Sequence, residues 1–104
     1  MRPLKIENLK EAILQHLETG RFLDTTHALQ RQGERKITRP EIFYVLKTGR
    51  REMSKDKFDM IYNAWNYAIR GKTLDRKELR IIVSFDENNM LIITAIEIGV
   101  KYEK

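Results

Sequence analysis

The spacing of apolar side chains along the 104 residues changes character once, near Gly49. Before that point the repeat is helical. Ile6, Leu9, Ile13 and Leu17 fall on one stripe that Ala12 and Leu14 widen, and Gly20 stands where a helix would stop. This predicts an amphipathic helix from about Lys5 to Thr19. Arg21 to Asp24 reads as a short connection, with Phe22 and Leu23 tucked against the core. Thr25 or Thr26 can cap a second helix from about His27 to Glu34, polar apart from Ala28 and Leu29 and weakened by Gly33. The third helix carries the clearest signals. Thr38 and Glu41 form a T-x-x-E capping box, Ile37 and Ile42 a hydrophobic staple, and Pro40 lies in the first turn. Ile42, Val45 and Leu46 form its buried face, and Gly49 ends it.

After Gly49 the period shortens. Arg50–Ser54 is predicted as a short strand, and Ser54–Asn63 fits a loop or a helical turn equally. From Ala64 the pattern alternates, with Trp65, Tyr67 and Ile69 on one side and Asn66, Ala68 and Arg70 on the other. Gly71 to Lys77 reads as a turn. Leu79, Ile81, Val83 and Phe85 mark a second strand, Asp86-Glu87-Asn88-Asn89 a four-residue hairpin turn, and Met90–Ile98 a central strand covered on both faces. The prediction is one α+β domain over residues 1–104. Its N-terminal helices (about 5–48) pack on one face of a twisted antiparallel sheet of three to four strands (about 50–98).

Composition narrows the chemistry. With 41% hydrophobic and 34% charged residues, the chain can build one core beneath a polar surface. No run approaches the roughly 20 apolar residues of a membrane helix. Charges threaded through MRPLKIENLKEAI exclude a plain secretory signal, and the absence of cysteine excludes disulfide and thiolate chemistry, which fits a reducing cytoplasm. A net charge of +5 and a pI near 9.6 favour an anionic partner. No G-x-G-x-x-G, G-x-x-x-x-G-K-[ST] or G-x-S-x-G occurs. His16 and His27 lack cysteine partners, and Asp24, Asp56 and Asp59 are scattered, so neither a metal nor another cofactor is expected. Two short helices within Thr25–Gly49 suit a helix-turn-helix, but Ile42, Phe43, Tyr44 and Val45 stand where base-reading polar residues should be.

His27, Arg31 and Arg35 follow at i, i+4 spacing and share one helical stripe. Two guanidinium forks and one imidazole suit a phosphate ester: His27 to move a proton, Arg31 to clamp charge. The same three residues also suit a solvated helix face. Arg70 and Arg80 lie on the polar sides of successive strands and would repel unless an anion stood between them. Lys72 can reach phosphate from beside Gly71, and Tyr62, in the irregular segment, can stack on a base or pass a proton. Trp65 and Tyr67 suit core packing. The candidate catalytic set is His27, Arg31 and Arg70, and the candidate RNA contacts are Arg35, Tyr62, Lys72 and Arg80. An exposed Met60-Ile61-Tyr62 cluster would instead suit a structural partner.

The order T-x-H-A-x-x-R at Thr25–Arg31, R-x-I at Arg35–Ile37, an apolar helix from Ile42 to Gly49, Tyr67 to Gly71 and Ile92-Ile93-Thr94 resembles a family of small bacterial proteins of unknown function, the DUF4258 type. That family is similar to the RelE-like, BrnT-like and MqsR-like toxins of toxin–antitoxin pairs, and the resemblance spans about Leu9 to Ile98. It implies a cytoplasmic mRNA-cleaving fold that lays RNA over an open sheet face, works without metal, often on ribosome-bound message, and is neutralised by a cognate antitoxin. Only His27, Ala28 and Arg31 carry over as motif positions. A non-catalytic nucleic-acid- or protein-binding module of the same fold is the alternative.

Overall fold

The computed structural model describes residues 2–25, 28, 33 and 35–99. Helix α1 (Leu9–Thr19) begins four residues later than the apolar stripe suggests. Asn8 caps it by accepting the Glu11 amide at 3.2 Å, and the backbone before it is claimed by the sheet. Tyr67 Oη accepts the Ile6 amide at 2.9 Å, Trp65 Nε1 donates to the Pro3 carbonyl at 2.9 Å, and Arg51 donates to the Ile6 carbonyl at 2.7 Å. Those groups are unavailable to a helical ladder, which is why the stripe and the helix disagree.

Phe22–Asp24 is a strand, β1, rather than a connection, and pairs in parallel with the start of β6 (Met90–Glu97). Strand alternation therefore separates the two apolar neighbours. Phe22 packs on the core and edge-on against Phe43, while Leu23 turns to the other face and is 52% exposed. The Thr25 hydroxyl accepts the Ala28 amide at 3.0 Å, and Ala28, Gly33 and Arg35 have helical backbone. The rest of the predicted second helix, His27 and Arg31 included, lies outside the described residues. Helix α2 (Arg39–Thr48) carries the full capping box between Thr38 and Glu41, and it buries Ile42, Val45 and Leu46.

The sheet has six strands, two more than the most that periodicity predicts. The order is β1-β6-β5-β4-β2, where β2 is Arg50–Arg51, β4 Ala64–Lys72 and β5 Glu78–Phe85; β3 (Lys57–Asp59) also pairs with β4. All pairings but β1–β6 are antiparallel. The two unforeseen strands, β1 and β3, are three residues long, too short for a period of two to be read, while the strand expected over Arg50–Ser54 is confined to Arg50–Arg51 before a 3₁₀ turn. β3 and β2 line up against opposite ends of the long β4, and a single 3₁₀ turn (Met53–Lys55) joins them. β4 also runs through Gly71 and Lys72, where a turn was expected. The turn itself is closed by Thr73, whose hydroxyl accepts the Lys77 amide at 3.1 Å. Asp86 closes the β5–β6 hairpin by accepting the amides of Asn88 and Asn89. β6 is not covered on both faces: Met90, Ile92 and Ala95 are buried, whereas Leu91, Ile93, Thr94 and Ile96 are half-buried. A bulge opposite Ile82 and Val83 skips Ile93.

Both helices and one sheet face enclose the core of Leu9, Ile13, Ile42, Val45, Leu46, Tyr67, Ile69, Leu79, Ile81, Val83, Met90, Ile92 and Ala95. At the end of α2 the chain comes tightly against β4, Gly49 against Gly71. A Cβ on Gly49 would stand 2.6 Å from the Val45 carbonyl oxygen and 2.7 Å from that of Arg70, and a Cβ on Gly71 would stand 2.9 Å from the Gly49 Cα. Lys10 Nζ, whose burial lowers its pKa, reaches across from α1 to the Gly49 carbonyl at 2.9 Å. Because the obstacles are backbone atoms, Gly49→Ala and Gly71→Ala should each lower stability by about 2–3 kcal/mol. Urea unfolding of the two variants checks this, and a loss under about 0.5 kcal/mol in both would show that the contact yields.

Candidate functional site

Alternation along β4 and β5 places Ala68, Arg70 and Lys72, with Glu78, Arg80 and Ile82, on the face away from the helices. Register then brings three arginines into one row, because Arg50 is directly opposite Arg70 and Arg70 directly opposite Arg80. Like charges so placed repel. Glu52 relieves the repulsion from just beyond β2. Its amide is fixed on the Ala68 carbonyl at 2.8 Å. Its carboxylate takes Arg80 Nε at 2.6 Å and Nη2 at 3.1 Å, and lies 3.6 Å from Arg70 Nη1. Arg70 Nη2 donates at 2.6 Å to Glu78, the cross-strand neighbour of Lys72.

The hydrogen bonds from Arg80 hold the Glu52 carboxyl below the usual glutamate range, and Arg70 does the same for Glu78. Glu78 and Glu52 in turn raise the pKa values of Arg70 and Arg80. Among the described residues Arg50 pairs with no carboxylate. Counting Arg50, Arg70, Lys72 and Arg80 against Glu52 and Glu78, four cations meet two anions and leave a surplus of two positive charges. A cleft of about 510 Å³ opens here. It is lined by Arg50, Glu52, Arg70, Lys72 and Glu78, with Thr48 and the bare backbone of Gly49 and Gly71. Surplus positive charge lining a cleft suits an anion.

Of the residues singled out from sequence, Arg70, Arg80 and Lys72 come together here, and the anion inferred between Arg70 and Arg80 is the chain's own Glu52. Arg35 goes elsewhere: Nη1 donates to the Ala95 carbonyl at 2.9 Å on β6. Tyr62, 79% exposed, stands at the β3–β4 turn, roughly 25 Å along β4 from Arg70. There the Asp59 carboxylate accepts the Ile61 and Tyr62 amides and holds Met60, Ile61 and Tyr62 outward. His27 and Arg31 lie outside the described residues. Arg50, Glu52 and Glu78 were missed. Glu78 alternates with Arg80 on one strand face and was findable, whereas a two-residue strand gave Arg50 no pattern.

The model of the family described as Domain of unknown function (DUF4258) matches residues 25–97. The chain belongs to this family. The match takes in every residue of the arginine row and its carboxylates, so the cleft is built wholly from the DUF4258 module, whereas α1 and β1 precede it. No curated protein and no solved structure matches the chain. Among the described residues no helix is long and apolar enough to cross a membrane.

A carboxylate whose folded pKa is depressed stabilises the fold fully above its ordinary value and loses that contribution as pH falls through the lowered one. Stability should therefore fall as pH drops below the ordinary 4.5 of glutamate. Glu52→Gln should lower stability by about 1.5 kcal/mol at neutral pH and flatten the acid limb. Urea unfolding between pH 7 and 3 reads both, and an unchanged acid limb would assign the pH dependence to other groups.

Proposed function

We propose that this DUF4258 chain is a toxin-like, metal-independent endoribonuclease, related to the RelE- and BrnT-like mRNA-cleaving toxins, acting in the cytoplasm and neutralised by a cognate antitoxin. The observation that carries the proposal is the arginine row, with Arg50 unpaired among the described residues and a surplus of positive charge over a glycine-bared cleft. RNA laid on this face sets a phosphodiester against Arg50 and Arg70, which hold the charge that grows on its non-bridging oxygens. The 2′-oxygen then attacks phosphorus and the P–O5′ bond breaks. One group takes the 2′ proton and another supplies a proton to the 5′-oxygen. Glu52 is a weak base, since both its oxygens are engaged by Arg80. His27 is the group suited to proton transfer near neutral pH. Arg31 is a second clamp.

That engagement of the carboxylates also favours a second function, a non-catalytic RNA-binding module, in which the row only grips the backbone. Expression in bacteria at matched protein levels separates the two. Under the enzyme proposal the wild type arrests growth and fragments RNA, and His27→Ala does neither while still binding RNA. Arg50→Ala and Arg70→Ala should weaken binding to all sequences alike and lower the salt slope by about one each. If growth is unaffected and RNA stays intact with and without ribosomes, the enzyme is discarded. If Arg50→Ala also leaves RNA affinity unchanged, the binding module is discarded too.

A further inference from the structure

The two carboxylates of the cleft are engaged to different degrees. Glu52 has both oxygens on Arg80 and a side chain only 18% exposed. Glu78 gives Oε1 to Arg70 at 2.6 Å, while Oε2 has no hydrogen bond among the described residues; its side chain is 32% exposed and lines the cleft. An ionised carboxylate only accepts hydrogen bonds, so the open oxygen beside Arg70 suits a neutral donor in a ligand that also carries an anion. In RNA the 2′-hydroxyl and the 3′-phosphodiester sit on adjacent ribose carbons, which supplies that pair. We infer that Glu78 is the ribose-reading group of this cleft, its free oxygen accepting the hydrogen of a 2′-hydroxyl whose neighbouring phosphodiester rests on Arg50 and Arg70.

This inference rests on the proposal that the cleft holds RNA, and adds what makes it RNA rather than DNA. Glu78 is an ionised acceptor at neutral pH, as its ordinary value of 4.5 already requires, and the Arg70 hydrogen bond moves it further in that direction. A strand without the hydroxyl brings its phosphate up to a carboxylate with no donor between them, so discrimination comes from repulsion of the wrong ligand as well as attraction of the right one. The 2′-hydroxyl is the group by which proteins tell the two nucleic acids apart.

Fluorescence anisotropy in the cold, with one short single-stranded sequence made as RNA, 2′-O-methyl RNA and DNA, tests the assignment. The wild type should prefer RNA over both analogues by about tenfold, the worth of one hydrogen bond to a charged group. Glu78→Ala and Glu78→Gln should bind all three within about twofold of each other; the glutamine keeps an oxygen for Arg70 and offers an NH₂ in place of the free oxygen. Equal wild-type binding of RNA and 2′-O-methyl RNA overturns the assignment, even if neither variant folds. So does an undiminished RNA preference in a folded variant. Failure of the wild type to bind any strand, or RNA binding indifferent to Arg50→Ala, removes the underlying RNA proposal itself and the assignment with it.

Discussion

Where α2 ends, the chain passes so close to β4 that two glycines face each other with no room for a side chain on either. From that contact the second face of the sheet is set out. Gly49 delivers the chain directly into β2, and β2 holds Arg50 opposite Arg70. One residue past β2 the Glu52 amide is fixed on the Ala68 carbonyl, which aims its carboxylate at Arg80. A side chain at Gly49 or Gly71 would meet backbone within 3 Å, so the contact would have to open and the charges anchored beside it would move with it. Core packing and site geometry thus share one constraint, which ties the buried face of the helices to the charge on the opposite face of the sheet.

The charges respond to that placement in a definite order. Two of the three guanidinium groups in the row are held by carboxylates from two directions: Glu52 beyond β2, and Glu78 on β5. Arg80 is held by both oxygens of Glu52 and sits outside the cleft lining, Arg70 is shared between the two acids, and Arg50 has no acid among the described residues. Positive charge therefore grows less committed from Arg80 toward Arg50. An anionic ligand is met first by the groups that have least to give up, and the internal ion pairs keep the remaining forks aimed in its absence, which lowers the ordering cost of binding.

Much of this was legible in the residues. The capping box at Thr38 and Glu41, the buried triad of α2, the alternation of β4 and β5 and the Asp86 turn are local devices, each readable from a few adjacent positions. So was the opposition of Arg70 and Arg80, because both lie on the polar side of strands joined by a hairpin. What sequence could not supply was pairing between short or distant segments. The parallel docking of Phe22–Asp24 on β6 and the three residues of β3 have no period, the short strand expected from Arg50 carried no sign of its partner or register, and the backbone before α1 is governed by Tyr67, Trp65 and Arg51 from far along the chain. Glu52, the residue that reconciles the arginines, belongs to that illegible class. Of the i, i+4 stripe of His27, Arg31 and Arg35, only Arg35 lies within the described residues, and it is drawn to the β6 backbone rather than to the arginine row.

A net charge of +5 is weak evidence for a nucleic-acid partner when it is taken as a sum. Several of the cations are structural: Arg51 and Lys5 meet the buried Asp56, Arg39 meets Asp24, and Lys77 meets Glu41. Those pairs fasten the N-terminal segment, β1 and the β4–β5 turn, and contribute little outward field. Among the described residues, uncommitted positive charge lies where Arg50 and Lys72 flank Arg70 in the cleft lining. Position rather than amount gives the basic character its meaning. The same +5 scattered evenly would attract polyanions only weakly at physiological salt, with a screening length of about 8 Å. A surplus of two gathered on one strand row is what the RNA proposal needs to hold a single phosphodiester, with the neighbouring Glu78 left to test the sugar attached to it.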